Sequence, residues 1–254
     1  VHSGRRTSMY DLPWYLVIGA SGSGKSQMLR NSGLEFLSDQ EGGFVDYDSI
    51  QPTEHLDWWL SEDAVFIDTA GRYTTQDVNP PKDKAAWRSL RDVLKGQRER
   101  RPLNGIIVTI SAEQLAGSED GLAQLADSLK ARLVEVMGTF RSSIPVYVMV
   151  TKSDLIVGFS EFFNGVGARL SEQTFGVSLE FNERGLDAKG QKVLTERLRK
   201  LVANVQSMAD VQIEGEVADE RRRAIFRFPM QMAYLTAPLD GLLSGIFRAS
   251  RYST

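Results

Sequence analysis

The chain has 254 residues, 42% hydrophobic and 25% charged, with 30 Lys and Arg against 33 Asp and Glu for a net charge of −3. This fits one large globular domain, or one with an appendage, and excludes a collagen-like or low-complexity chain. The slight acidic excess argues against a general nucleic-acid binder, while zero cysteines and two histidines exclude disulfides, Cys-ligated zinc, iron–sulfur clusters and a multi-His centre.

Residues Val1–Arg6 hold no apolar segment and so do not read as a signal peptide. The missing initiator Met reads as an excised fragment, which confines any membrane expectation to this piece. The longest apolar runs, such as Pro145 to Val150, fall far short of the about 20 residues a spanning helix needs. Trp14–Ile18, Ala64–Ile67, Gly105–Ile110 and Val146–Val150 read as strands buried on both faces of a parallel sheet. Helical stripes follow Trp87, Leu90, Val93 and Leu94, then Leu122, Leu125, Leu129, Leu133 and Val136. A third runs from Val193 through Leu194, Leu198 and Leu201 to Val205. The alternation implies βαβ units. The expected division is a core at 1–158, a helical subregion at 159–223, and a last strand plus helix at 224–254. In that last part Ala224, Phe226 and Phe228 alternate, Pro229 stops the strand, and Met232 to Phe247 form the helix.

Gly19-Ala20-Ser21-Gly22-Ser23-Gly24-Lys25-Ser26 fits G-x-x-x-x-G-K-[ST] between a strand and a helix. Such glycines turn successive backbone N–H groups inward on a phosphate, and the helix N-terminus adds partial positive charge. Lys25 is expected on the β- and γ-phosphates, and Ser26 on Mg²⁺. The competing reading is a glycine- and serine-rich helix cap. Asp68-Thr69-Ala70-Gly71 follows the second strand, placing Asp68 to hold Mg²⁺ and the Gly71 N–H to meet a γ-phosphate; otherwise it is a plain turn. Thr151-Lys152-Ser153-Asp154 follows the fourth strand and fits [NT]-K-x-D. Asp154 offers two acceptors to guanine N1–H and its exocyclic amine, and Lys152 an alkyl stem for the base plane. Three motifs in this order, each at a strand's carboxyl end, give a P-loop NTPase expectation: a Ras-like, mostly parallel sheet with helices on both faces and a helical extension. GTP is the expected nucleotide, with ATP as the alternative.

The position after Gly71, where Ras-like GTPases carry a water-orienting glutamine, is Arg72, and Gln76 lies four residues on. Arg72 and Gln76 are the catalytic candidates, and hydrolysis of GTP or ATP is expected to be slow or partner-dependent. Thr53 is the candidate first-switch Mg²⁺ hydroxyl, with an ordinary turn after Pro52 as its competitor. The expected mobile loops are 44–57 and 71–82. Trp58 and Trp59 read as half core and half edge. Arg98, Arg100 and Arg101 read as a helix C-terminal cluster, with a phospholipid or acidic partner as the alternative. Arg221–Arg223 reads as a solvated face.

Leu12–Gly19, Asp57-Trp58-Trp59 and Ile67–Asp77 together resemble the IcmF/TssM family, the large inner-membrane component of the bacterial type VI secretion system. Arg100–Gly105, Pro145–Val148, Thr151–Leu155 with Gly158-Phe159, Phe228-Pro229, Pro238–Asp240 and Ser250–Tyr252 fit too. The resemblance runs from about Leu12 to the C-terminus and departs at Glu54-His55-Leu56, beside the first-switch candidate. It implies a cytoplasmic NTPase-like domain, tethered to the cytoplasmic face of the inner membrane by flanking helices. It also implies a DotU/TssL-type partner and baseplate components; no nucleic-acid partner is expected, because the chain has no basic excess and no helicase-like motifs. Two functions follow: a nucleotide-switched regulator of secretion-complex assembly, or a structural docking domain with little turnover.

Overall fold

The computed structural model describes residues 10, 12–37, 56–166, 173–179 and 186–248. Two compact units emerge: residues 1–110 with 128–151, and 111–127 with 152–254.

The first unit is an α/β sheet structure. Strands β1 (Trp14–Ile18), β2 (Leu56–Leu60), β3 (Val65–Thr69), β4 (Gly105–Ser111) and β5 (Val146–Thr151) lie in the order β2-β3-β1-β4-β5. β1 pairs in parallel with β3 and β4, and β2 runs antiparallel to β3. Every residue of β3 and β4 is buried, which is why both read as unbroken apolar runs rather than alternating ones. β5 differs from its sequence reading. It is an edge strand, its burial alternates, and Tyr147 and Met149 are exposed. One sheet face gathers Val17, Phe66, Ile107 and Trp59 with Leu29 of α1 (Lys25–Arg30). Helices α2 (Gly71–Thr75) and α3 (Pro80–Gln97) follow β3. α3 starts on Asn79, whose side chain accepts from the Lys82 N–H, with proline at its first turn where no intrahelical N–H is required. Trp87, Leu90 and Leu94 are its buried stripe, while Val93 is exposed. α3 is tied to α5 (Glu119–Phe140): Trp87 Nε1 donates to Glu135 Oε2 at 2.7 Å, and Arg91 to the Thr139 hydroxyl at 2.6 Å.

β2 is an element the sequence reading lacked. Trp58 and Trp59 are strand residues, stacked edge-on against Trp14 and Phe36. Arg98 is buried at the C-cap of α3, its guanidinium 5.0 Å from the Tyr10 ring and 4.8 Å from the Trp14 ring. A helix C-terminus and two aromatic faces favour a cation there, so Arg98 is a structural residue, whereas Arg100 and Arg101 are exposed.

The second unit is helical. It holds α4 (Ala112–Leu115), a 3₁₀ turn at Ser153–Leu155, α6 (Phe159–Asn164), α7 (Ala188–Gly215) and α8 (Asp219–Phe247). Phe162, Val205, Ala209, Ile225 and Phe228 form its core. Asp240 joins the long helices, accepting from Gln191 Nε2 at 2.9 Å and from the Thr195 hydroxyl at 2.8 Å. The strand expected at Ala224–Phe228 is instead part of α8, which runs through Pro229 and Pro238. The apolar positions that count are Ile225, Phe228, Pro229 and Met232, an i, i+3, i+4, i+7 stripe packed in the core. Each proline forfeits one helical N–H bond without ending the helix.

Candidate functional site

The candidate site in the first unit is built from the turn between β1 and α1. Gly22 and Gly24 have φ of 73° and 77°, in the left-handed region that glycine enters without cost. A side chain at Gly19 would collide with the Thr109 and Ser23 hydroxyls, which hydrogen-bond one another at 2.7 Å beneath the loop. Thr151, at the end of β5, fixes the loop from the side by donating its hydroxyl to the Ser23 carbonyl at 2.6 Å.

Lys25 is 7% exposed, and its Nζ donates to the carbonyls of Gly19 and Ala20 at 3.0 and 3.1 Å. Burial holds its ammonium below the ordinary lysine range, and the Asp68 carboxylate pulls it partly back. Asp68, fully buried at the end of β3, accepts from the Ser26 hydroxyl at 2.5 Å. A hydroxyl and a carboxylate facing one another beside a buried cation form an oxygen-only donor pair. That is the chemistry a hard divalent ion takes from a protein that supplies only part of its shell. Ser26 and Asp68 therefore fit Mg²⁺. Among the described residues no cluster of three or more His, Cys, Asp or Glu offers another metal site.

α2 is docked onto the loop. The Thr74 hydroxyl accepts from the Gly19 N–H at 3.1 Å. A Cβ on Gly71 would lie 2.2 Å from the Ser21 nitrogen, so backbone meets backbone and only glycine fits. Nothing local in the sequence marked Thr74, which lies 55 residues from its partner. Arg72 turns to α3: its Nε is 3.5 Å from Asp83 Oδ1, and Asp83 is buried. Gln76 is buried with φ of 54°, closing α2. The span expected to be a loop at 71–82 is thus mostly the helices α2 and α3. Thr53, and residues 44–55 of the other expected loop, lie outside the described residues.

In the second unit, Lys152 has φ of 54° and its Nζ pairs with Glu113 Oε2 at 2.5 Å. Asp154 is exposed in the 3₁₀ turn that follows. Glu113 belongs to α4, which Ser111 and Gln114 cap reciprocally. No residue-type pattern had linked Glu113 to Lys152.

The family model described as the IcmF-related N-terminal domain matches residues 80–254. The type VI secretion system component TssM1 of Pseudomonas aeruginosa is 37% identical over 249 residues, which is 97% of this chain and 22% of the relative. The chain thus spans about a fifth of that relative's length.

Proposed function

The chain belongs to the IcmF/TssM family, and from that premise we propose that it is a P-loop, Ras-like nucleotide-binding domain of a type VI secretion membrane-complex protein, taking GTP with Mg²⁺. The observation that carries this reading is the group formed by the buried Lys25 and Asp68 with the part-buried Ser26, at a loop whose Gly22 and Gly24 are already left-handed. The N–H groups of residues 22–26 and Lys25 would hold the β- and γ-phosphates. α1 has six residues, so its dipole is a minor contributor beside the lysine and the loop amides. Ser26 and Asp68 would hold Mg²⁺, which would supply neutralisation of the negative charge on the β- and γ-phosphates. Gly71, set against Ser21, is where a γ-phosphate would be sensed.

Base preference is proposed on the chemistry of the Thr151–Asp154 turn. An exposed carboxylate offers guanine's N1–H and amine two acceptors, and adenine has no such donor pair. Hydrolysis would be slow. Arg72 is engaged by Asp83, and Gln76 is buried at the far end of α2. This engagement also favours a second reading, a docking domain with little turnover. A location at the cytoplasmic face of the inner membrane, with DotU/TssL-type and baseplate partners, is part of the proposal. Steady-state phosphate release with GTP and Mg²⁺ tests turnover. The nucleotide switch is expected to release phosphate slowly, with all release lost in Lys25→Ala. Binding without release supports the docking reading, and unchanged binding by Lys25→Ala removes the site.

A further inference from the structure

The turn joining α7 to α8 carries a surface that the nucleotide proposal does not use. A groove of about 440 Å³ is lined by Ile213, Arg222, Arg223, Phe226 and Arg227. Its lining holds three cations and no carboxylate. Apolar exposure continues beyond it. Val217 is 92% exposed, Phe226 55%, and Met230 and Tyr234 follow Phe226 at i+4 and i+8 with exposures of 60% and 79%. Those last three lie on one side of α8 over about 12 Å. The inward side of the same helix is satisfied by Ile225, Phe228 and Met232 in the core, so the exposed stripe is a second apolar face.

The composition separates the candidate occupants. No lysine follows Lys200 in the chain, and every cation of this surface is an arginine. Exposed Phe, Tyr and Met with Arg, and Lys depleted, is the composition of the central part of a protein interface. An anionic membrane draws on Lys and Arg alike and needs a net positive segment. Here Glu214, Glu216, Asp219 and Glu220 balance Arg221, Arg222, Arg223 and Arg227. Two of the acids are already engaged, Glu216 with Arg221 and Asp219 with Arg222. Arg222 of the lining is thereby paired, and Arg223 and Arg227 are the cations the groove offers a ligand, beside the apolar Ile213 and Phe226. We propose that this surface docks an acidic amphipathic helix of a partner protein, which lays apolar side chains along Phe226, Met230 and Tyr234 and carboxylates on Arg223 and Arg227. A guanidinium fork pairs a carboxylate at both oxygens, which suits Arg over Lys in this role.

The test is fluorescence anisotropy with the chain and a fluorescein-labelled amphipathic helical peptide carrying leucines on one face and glutamates on both flanks. Its counterpart with lysines in place of the glutamates is run beside it. The glutamate peptide is expected to bind and the lysine peptide not to. Arg223→Glu with Arg227→Glu, and separately Phe226→Ser, are each expected to weaken binding by about tenfold or more. These positions are exposed, so circular dichroism of the variants should match the parent. No binding, equal binding of both peptides, or binding indifferent to these variants would overturn the proposal. So would sedimentation with phosphatidylglycerol vesicles that the same arginine variants abolish, because it would make the surface a lipid site.

Discussion

Lys25 is a cation that the fold buries before any ligand arrives. Its folded-state pKa lies below the ordinary lysine value, so between the two the unfolded chain binds more protons than the folded one. The cost of the buried charge is fully present below the folded value and is relieved as pH rises through it. Stability is therefore expected to climb across that alkaline window, and Lys25→Met to flatten the climb. A phosphate at Nζ would raise the pKa again, so binding in the same window takes up a proton and nucleotide affinity is expected to fall as pH rises. Isothermal titration in buffers of different ionisation enthalpy reads that uptake directly; zero uptake across the window would contradict it. Gly71→Ala is a second test at this scale. The new methyl would run into the backbone of Ser21 and Ala20, so α2 is expected to lift and the Thr74 bond to the Gly19 N–H to open. Faster amide exchange at Gly19 is the readout, and unchanged protection would show that α2 is not held there. The loop residues were legible in the sequence because the motif states its own backbone requirement. Thr74 and Glu113 were not, since each acts through a partner that only folding supplies.

The elements show where periodicity informs and where it misleads. β1, β3 and β4 are continuous apolar runs, and burial on both faces explains why they were readable. β2 is Leu-Asp-Trp-Trp-Leu, whose adjacent tryptophans hide any alternation, and it lies at the sheet edge. α8 was misread because Phe226 and Phe228 sit two apart beside a proline. Yet Phe228 faces the core while Phe226 faces out, as a 3.6-residue period demands. Gly158 shows how tightly the start of α6 meets α8: φ is 86°, and a Cβ would lie 2.1 Å from the Ala224 carbonyl oxygen. The α7–α8 pair depends on Asp240 for its polar tie. Asp240→Ala leaves Gln191 and Thr195 without that acceptor and is expected to destabilise the helical unit by about 1–3 kcal/mol. Urea unfolding followed by circular dichroism measures it; a loss below the error of the fit would mean that apolar packing alone holds the pair.

At the scale of the whole chain, a sheet unit carrying the glycine-rich loop and a helical unit carrying the Asp154 turn and the arginine groove are two compact bodies of one polypeptide. A nucleotide bound at the loop stabilises the folded sheet unit by mass action, about 2.7 kcal/mol at a hundred times Kd. A thermal shift with GTP and Mg²⁺, absent in Lys25→Ala, is the expected sign. The claim on which the functional account rests is that this loop takes a guanine nucleotide. The most direct measurement is a titration of the chain with fluorescent GTP and fluorescent ATP in Mg²⁺, alongside Lys25→Ala and Asp154→Asn. GTP is expected to bind far better than ATP, Lys25→Ala to lose both, and Asp154→Asn to shift preference to xanthine nucleotide. Binding of neither nucleotide, or binding that survives Lys25→Ala, would contradict the account.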